Sequence, residues 1–428
     1  MIDYEKIIIQ WKEFKIPPSL DRDIKIPLES EFIISIIGPR RAGKTFVCFN
    51  IINYLLSRKM SKHQILYLNF EDEKLLGAGA EDLDKLLNAF YELTKLGAKE
   101  EIYLFLDEIQ NVKNWEVWVR RIHDMYKNIH LILTGSSSKL LSKEISTSLR
   151  GRVLSIQIFP LSFKELLNWK KITYDLNTIS KSNQRFELKR VFSEYLNQGG
   201  YPAIFKNTEL KQQILQSYLE SIILKDIVER YNIRDSKKLK LLSNLLFEGV
   251  ARDLSYTKLA NFISSLGYKL SKKTIIDYLS YFEEAYLFFQ SLKYEYSLRK
   301  QLGSIKKLYC IDNGLLNTVS FKFSEDRGRL LENLIFIELK RRNKKVFYNK
   351  DTYECDFIIQ EKDKIIEVIQ VTEKLTMENE KREIGGLLEA IKKFNLKKGL
   401  IVTADEERDI ELEGKKIRVI PVWKWLLM

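Results

Sequence analysis

Cysteine and histidine are scarce in this chain of 428 residues, with three of each. Cys48, Cys310 and Cys355 are odd in number and far apart, and of the histidines, His63, His123 and His130, only the first lies anywhere near a cysteine. A disulfide framework and a zinc site are therefore not expected, and reduced thiols point to a cytoplasmic setting. Long apolar runs are missing too. None approaches the roughly 18 residues of a membrane span, so no membrane partner is expected. The opening "MIDYEKIIIQWKEF" mixes acids and bases too densely for a signal peptide. No internal repeat or low-complexity segment is present. What remains, 45% hydrophobic and 30% charged residues, describes a globular protein with room for about two to four domains.

The net charge of +13 is unevenly placed. Residues 236–350 hold 22 Lys and Arg against 11 Asp and Glu, which accounts for all but two of the excess positive charges. A lysine-rich solvated surface would spread such an excess; its confinement points to a nucleic-acid partner.

Between residue 32 and about 160, the β-rich runs "EFIISIIG", "QILYLNF", "EIYLFLDE", "HLILTGS" and "RVLSIQIF" alternate with helical patterns. That alternation predicts an α/β fold with a mostly parallel five-stranded sheet covered on both faces. Residues 161–235 read as helical with one break at "NQGGYPAIF". Residues 236–324 read as helices followed by a β-hairpin, and 325–428 as mixed α and β.

The first run continues into "GPRRAGKT", residues 38–45, and then an amphipathic helix. This is the phosphate-binding pattern GxxxxGK[ST] in its strand-to-helix context. Gly38 and Gly43 let the backbone turn, so that the N–H groups of Pro39-Arg40-Arg41-Ala42-Gly43 and the helix start cradle phosphates; proline alone lacks one. Lys44 would neutralise the β- and γ-phosphates of ATP, and the Thr45 hydroxyl would ligate Mg²⁺. The third run ends in Asp107 and Glu108. Asp107 would hold the magnesium through water, while Glu108 would orient and deprotonate the attacking water. At the end of the fourth run, Thr134 or Ser136 could sense the γ-phosphate, or simply cap a helix. Arg150 and Arg152 precede the fifth run; either could reach a neighbouring subunit's γ-phosphate, which would make hydrolysis depend on a homo-oligomer.

Together "GPRRAGKT", "LYLNFED", "YLFLDEIQNVKNWEVWVRRIHD", "LTGSSSKLL", "GRVLSIQIFPLSFKEL" and "YLNQGGYPAIF" resemble the archaeal and bacterial AAA-superfamily ATPases that carry a winged helix and a restriction-endonuclease-like C-terminal domain. The resemblance implies a sheet in 5-1-4-3-2 order and a catalytic set of Lys44, Glu108, Ser136 and Arg152, with Thr45 and Asp107 on Mg²⁺. The "GR" before the last strand favours Arg152 as the finger. The resemblance also implies an ATPase core over 1–160, a helical lid over 161–235, a winged helix over 236–324 and a nuclease-like α/β domain over 325–428.

Within the basic middle, "SYTKLANFISSLGYKLSKKTIIDYLSYFEEAYLFFQSLKY" gives two helices around a turn at Gly267, the second capped by Ser271, and then a strand. The basic loop "SLRKQLGSIKK" and the strand "LYCID" follow, the order of a winged helix-turn-helix. Lys272, Lys273, Arg299, Lys300, Lys306 and Lys307 would then meet DNA phosphates or, for the first two, base edges. A duplex or branched DNA is the expected partner, although winged helices also dock proteins. The run "KRRNKK", residues 340–345, could add to the grip or complement a helix end.

Near the C-terminus, "ECDFIIQEKDKIIEVIQV" predicts two strands of a small sheet. A nuclease of the restriction-endonuclease-like type needs carboxylates converging on Mg²⁺ with a lysine nearby. Glu332, on an otherwise apolar helix face, and Asp356 could be two ligands, and Glu367 a third. If Glu367 is the ligand, Ile369 stands where lysine belongs. If Gln370 occupies the position, an amide replaces the carboxylate and Thr372 the lysine. An eroded nuclease site is the expectation. Three functions follow: an ATPase that acts on or remodels DNA, an ATP-dependent DNA nuclease using Glu332, Asp356 and Glu367, and a nucleotide-switched regulator without motor activity.

Overall fold

The computed structural model describes residues 2–97, 99–135, 149, 151–176, 178, 184–319 and 326–428. The chain divides into two compact units, residues 1–158 and 159–428.

In the first unit, helix α1 (Tyr4–Glu13) precedes strand β1 (Ile33–Ile37), helix α2 (Lys44–Ser57), β2 (Ile65–Asn69), α3 (Ala80–Thr94), β3 (Ile102–Asp107), α4 (Trp115–Met125), β4 (Ile129–Gly135) and β5 (Val153–Gln157). The five strands form one sheet in the order β2-β3-β4-β1-β5, and every pairing is parallel. The central strands β1 and β3 are buried along their whole length, as continuous apolar runs are when helices cover both faces of a sheet. Register aligns the carboxyl ends. Asn69 lies beside Asp107 and Ile36 beside Thr134. Consecutive strands add outward from β4 to β2, whereas β1 is inserted between β4 and β5, so the connection reverses at β1. Ligands of such sheets sit at the carboxyl edge of that reversal.

The second unit begins with helices α5 (Phe163–Trp169), α6 (Gln184–Gln198), α7 (Pro202–Lys206) and α8 (Lys211–Ser221), the last running into a π-helical stretch, Ile222–Glu229. After α9 (Ser236–Glu248) come β6 (Asp253–Leu254), α10 (Tyr256–Ser265), α11 (Lys272–Glu284), β7 (Phe288–Lys293), α12 (Leu298–Gly303) and β8 (Lys306–Cys310). Ser255 and Ser271 cap α10 and α11, accepting from the amides of Lys258 and Thr274. The segment read as a basic loop contains α12, because "LRKQL" consists of strong helix formers.

The chain ends with α13 (Asn313–Val319), α14 (Arg327–Arg341), β9 (Lys345–Lys350), β10 (Glu354–Glu361), β11 (Lys364–Val371), α15 (Glu380–Lys393), β12 (Lys398–Thr403), β13 (Arg408–Leu412), β14 (Lys415–Pro421) and α16 (Val422–Trp425). Among the described residues, nine strands form a single mixed sheet, β13-β14-β12-β11-β10-β9-β7-β8-β6. The β7–β8 hairpin therefore continues into the C-terminal sheet. Leu292 and Lys293 of β7 pair in parallel with Phe347 and Tyr348 of β9.

Candidate nucleotide-binding site

Strand β1 delivers the chain to Gly38, whose φ is +148°. A Cβ built there would stand 2.2 Å from the carbonyl oxygen of Ile158, so the position tolerates only glycine. Arg41 and Gly43 also have positive φ, +64° and +100°. These turns fold the loop back onto the start of α2. Among the described residues no side chain caps that helix, which leaves its first N–H groups to serve an anion. Arg22 donates to the carbonyl of Ala42 at 3.0 Å, and Arg40 pairs with Glu71 at 2.9 Å.

The Lys44 side chain is buried. Its Nζ donates to the carbonyls of Gly38 (3.3 Å) and Pro39 (3.2 Å) and lies 3.5 Å from Oε1 of Glu108. Next to it, the Asp107 carboxylate accepts from the hydroxyls of Thr45 (2.8 Å), Tyr67 (2.6 Å) and Thr134. Burial pushes the Asp107 pKa upward, and the three hydroxyl donors and the neighbouring Glu108 modulate that rise in opposite directions. Glu108 sits in a left-handed turn, φ +53°. Its amide donates to the Thr134 hydroxyl at 3.0 Å, and its Oε2 accepts from Gln110 at 2.5 Å. Thr134 thus links the two acids.

The loop, Lys44, Thr45, Asp107, Glu108 and Thr134 therefore meet at the carboxyl edge of the sheet. Ser136 and Arg150 lie outside the described residues. Arg152 pairs with Asp124 of α4 at 2.8 and 3.1 Å, a hydrogen bond that draws the Asp124 carboxyl down to about 2. Tyr67, Gln110 and Arg22 were not anticipated. Tyr67 could have been found, because the 5-1-4-3-2 order sets β2 beside β3, and a tyrosine two residues from the end of β2 reaches the acid that ends β3.

The remaining sequence-predicted residues fall in the second unit. Lys272, Lys273, Arg299 and Lys300 are exposed, whereas Lys306 is half-buried, its Nζ 5.5 Å from the Tyr256 ring centroid. Lys307 corrects the expectation of a DNA contact: its side chain is only 3% exposed and pairs with Glu332 (2.8 Å), Glu354 (2.5 Å) and Asp356 (3.2 Å). Neighbouring residues of a strand point to opposite faces, so of the two lysines one turns inward.

In the β10–β11 register Phe357 faces Ile369 and Ile359 faces Glu367. Asp356 consequently shares its face with Gln370, which accepts from the Asp356 amide (3.2 Å) and donates to Glu383 (2.6 Å). Glu367 points to the other face. The structure thus brings together Glu332 and Asp356 but leaves Glu367 apart.

The P-loop, the paired acids and the parallel sheet define an AAA-type P-loop ATPase domain, and a family model described as an AAA domain matches residues 30–167. A second, described as a domain of unknown function (DUF8612), matches residues 189–326. Along almost its whole length the chain is similar to the uncharacterized protein MJ1544 of Methanocaldococcus jannaschii, 40% identical and covering 99% of this chain and 95% of the relative. An uncharacterized protein of Haemophilus influenzae is 33% identical, with 93% and 95% covered. The chain belongs to the family these two proteins represent. Among solved structures, the Walker-type ATPase PABY2304 of Pyrococcus abyssi is 16% identical, covers 74% of this chain and 96% of its own, and has a TM-score of 0.42, a likeness too loose to argue from.

Proposed function

We propose that the chain hydrolyses ATP at the Lys44–Glu108 site and couples turnover to binding or remodelling of DNA. The observation that carries the reading is the convergence of Lys44, Thr45, Asp107 and Glu108 beneath an uncapped helix start. Amides of the loop and of α2 would hold the phosphates, and Lys44 would exchange its loop carbonyls for phosphate oxygens. The same exchange draws the ammonium away from Glu108, whose carboxylate then orients the attacking water and takes its proton. The Thr45 hydroxyl and the Asp107 carboxylate are hard oxygen donors 2.8 Å apart, a set that fits Mg²⁺, which when bound would neutralise charge on the β- and γ-phosphates. Arg152 as a finger reaching a neighbouring subunit, and a helical lid over 161–235, belong to this proposal.

The DNA half of the reading rests on the charge excess in residues 236–350 and on exposed Lys272, Lys273, Arg299 and Lys300 around a helix pair and hairpin with winged-helix topology. The test is the ATPase rate against duplex, forked and single-stranded DNA across a salt series. Stimulation that falls steeply with salt is expected. A rate indifferent to every nucleic acid at low salt removes the DNA half of the proposal. Slow turnover combined with a large difference in partner affinity between ATP and ADP would instead favour the nucleotide-switched regulator.

A further inference from the structure

Carboxylates from a helix and a strand that converge beside a third carboxylate form the donor chemistry of a divalent cation, and this is what the resemblance of the C-terminal sheet to restriction-endonuclease-like domains leads one to expect at Glu332 and Asp356. With Lys307 in place, the residues present do not fit a metal. Glu367 is on the opposite face, a neutral amide, Gln370, stands beside Asp356, and among the described residues no group of three His, Cys, Asp or Glu side chains is disposed to hold one.

The space between the carboxylates is taken instead by an ammonium. Lys307 Nζ lies 2.8 Å from Glu332 Oε1, 2.5 Å from Glu354 Oε1 and 3.2 Å from Asp356 Oδ1. A lysine has three N–H donors, and here three acids receive them. The acids are held in turn. Tyr309 donates to Glu332 at 2.8 Å, the Val371 amide to Asp356 at 2.9 Å, and Lys350 pairs with Glu354 at 3.1 Å. Burial opposes the charge on Lys307, yet the surrounding acids outweigh it, and its pKa stays well above the ordinary lysine value. Desolvating an ammonium is costly, yet β8 places this one in contact with α14 and β10, neither of which is its neighbour in the sheet.

We infer that Lys307 is a built-in cation occupying the place of a divalent metal, so that the nuclease-like sheet has exchanged metal binding for an internal ion cluster tying the β7–β8 hairpin to α14 and β10. The inference does not depend on the nucleotide site, and its test uses no nucleotide.

The experiment compares nucleotide-free full-length protein with Lys307→Met, reading Mn²⁺ binding by electron paramagnetic resonance and melting temperature across a Mn²⁺ series. Wild type is expected to bind no Mn²⁺ at this cluster and to melt independently of it. Lys307→Met should melt lower, take up one Mn²⁺ per chain that wild type does not take up, and recover melting temperature as Mn²⁺ rises. Adding Asp356→Asn to Lys307→Met should abolish that uptake, which separates this cluster from any site in the first unit. The smaller polar change Lys307→Gln repeats the comparison. Three results overturn the inference: wild type binding one Mn²⁺ in a manner lost with Asp356→Asn; a folded Lys307→Met that binds none; or failure of both Lys307 variants to fold at any Mn²⁺ concentration, since the divalent ion would then have failed to replace the ammonium.

Discussion

Replacing Tyr67 by phenylalanine removes a single oxygen from the candidate nucleotide site. The ring keeps its place, packed at a tilt with its centroid 5.2 Å from that of Phe49 and 5.7 Å from that of Trp11, so the perturbation is confined to the hydrogen bond of 2.6 Å to Asp107. Hydrogen bonds to a charged group contribute about 1.5–3 kcal/mol. Asp107 is 1% exposed, so water cannot readily replace the lost donor, and the upper half of that range is expected near neutral pH. Losing a donor to the carboxylate should push the Asp107 pKa, already raised by burial, further upward. The loss falls on the ionised form and therefore shrinks as pH drops through the Asp107 pKa. The assay is hydrogen exchange of β3 peptides, where the same energy appears as roughly forty- to 160-fold faster opening. A cycle with Asp107→Asn isolates the coupling. A Tyr67→Phe change within about 0.5 kcal/mol of wild type near neutral pH, or an equal loss in the Asp107→Asn background, would refute the reasoning.

Glu108→Gln should retain ATP while reducing turnover by about a hundredfold or more, because the amide cannot take a proton; single-turnover hydrolysis measures it. Asp312, buried and accepting from the amides of Gly200 (2.6 Å) and Gly314 (2.8 Å), has its pKa pushed by burial from 3.8 to about 6. The folded state keeps this proton in the interval where the unfolded chain has released it, so the group's contribution to stability falls by about 2 kcal/mol as pH rises from about 4 to 6. Asp312→Asn should flatten that part of the pH–stability profile measured by chemical denaturation, and an unchanged slope would contradict the assignment. Lys272→Ala with Lys273→Ala should weaken DNA binding on all sequences alike and make the dependence of log affinity on log salt shallower by about two units, read by fluorescence anisotropy.

The convergence of Lys44, Thr45, Asp107 and Glu108 was legible because its signals are local. A glycine-rich loop between β1 and α2, and two acids at the end of an apolar run, mark the proposed site in a few consecutive residues. The sheet was legible for a related reason: five continuous β-rich runs separated by helices leave few topologies open. What escaped detection depends on pairing between distant segments. The parallel match of Leu292 with Phe347 that fuses the hairpin to the C-terminal sheet leaves no periodic trace in either strand. Strand alternation sorted Glu367 and Gln370 onto opposite faces, but only the register with β10 decided which of them accompanies Asp356. Likewise "KK" at 306–307 guarantees that one lysine faces inward, and nothing in the dipeptide identifies which. The acids waiting for it, Glu332, Glu354 and Asp356, lie 25 to 49 residues further along the chain.

The most direct test of the account is equilibrium binding of ATP with magnesium to the purified protein, followed by calorimetry. The account predicts saturable binding of one nucleotide per chain, weakened by about tenfold or more in Lys44→Ala, where the ammonium that answers the phosphates is gone. Wild type with no measurable affinity for Mg²⁺·ATP, or with affinity indifferent to Lys44→Ala, would contradict it.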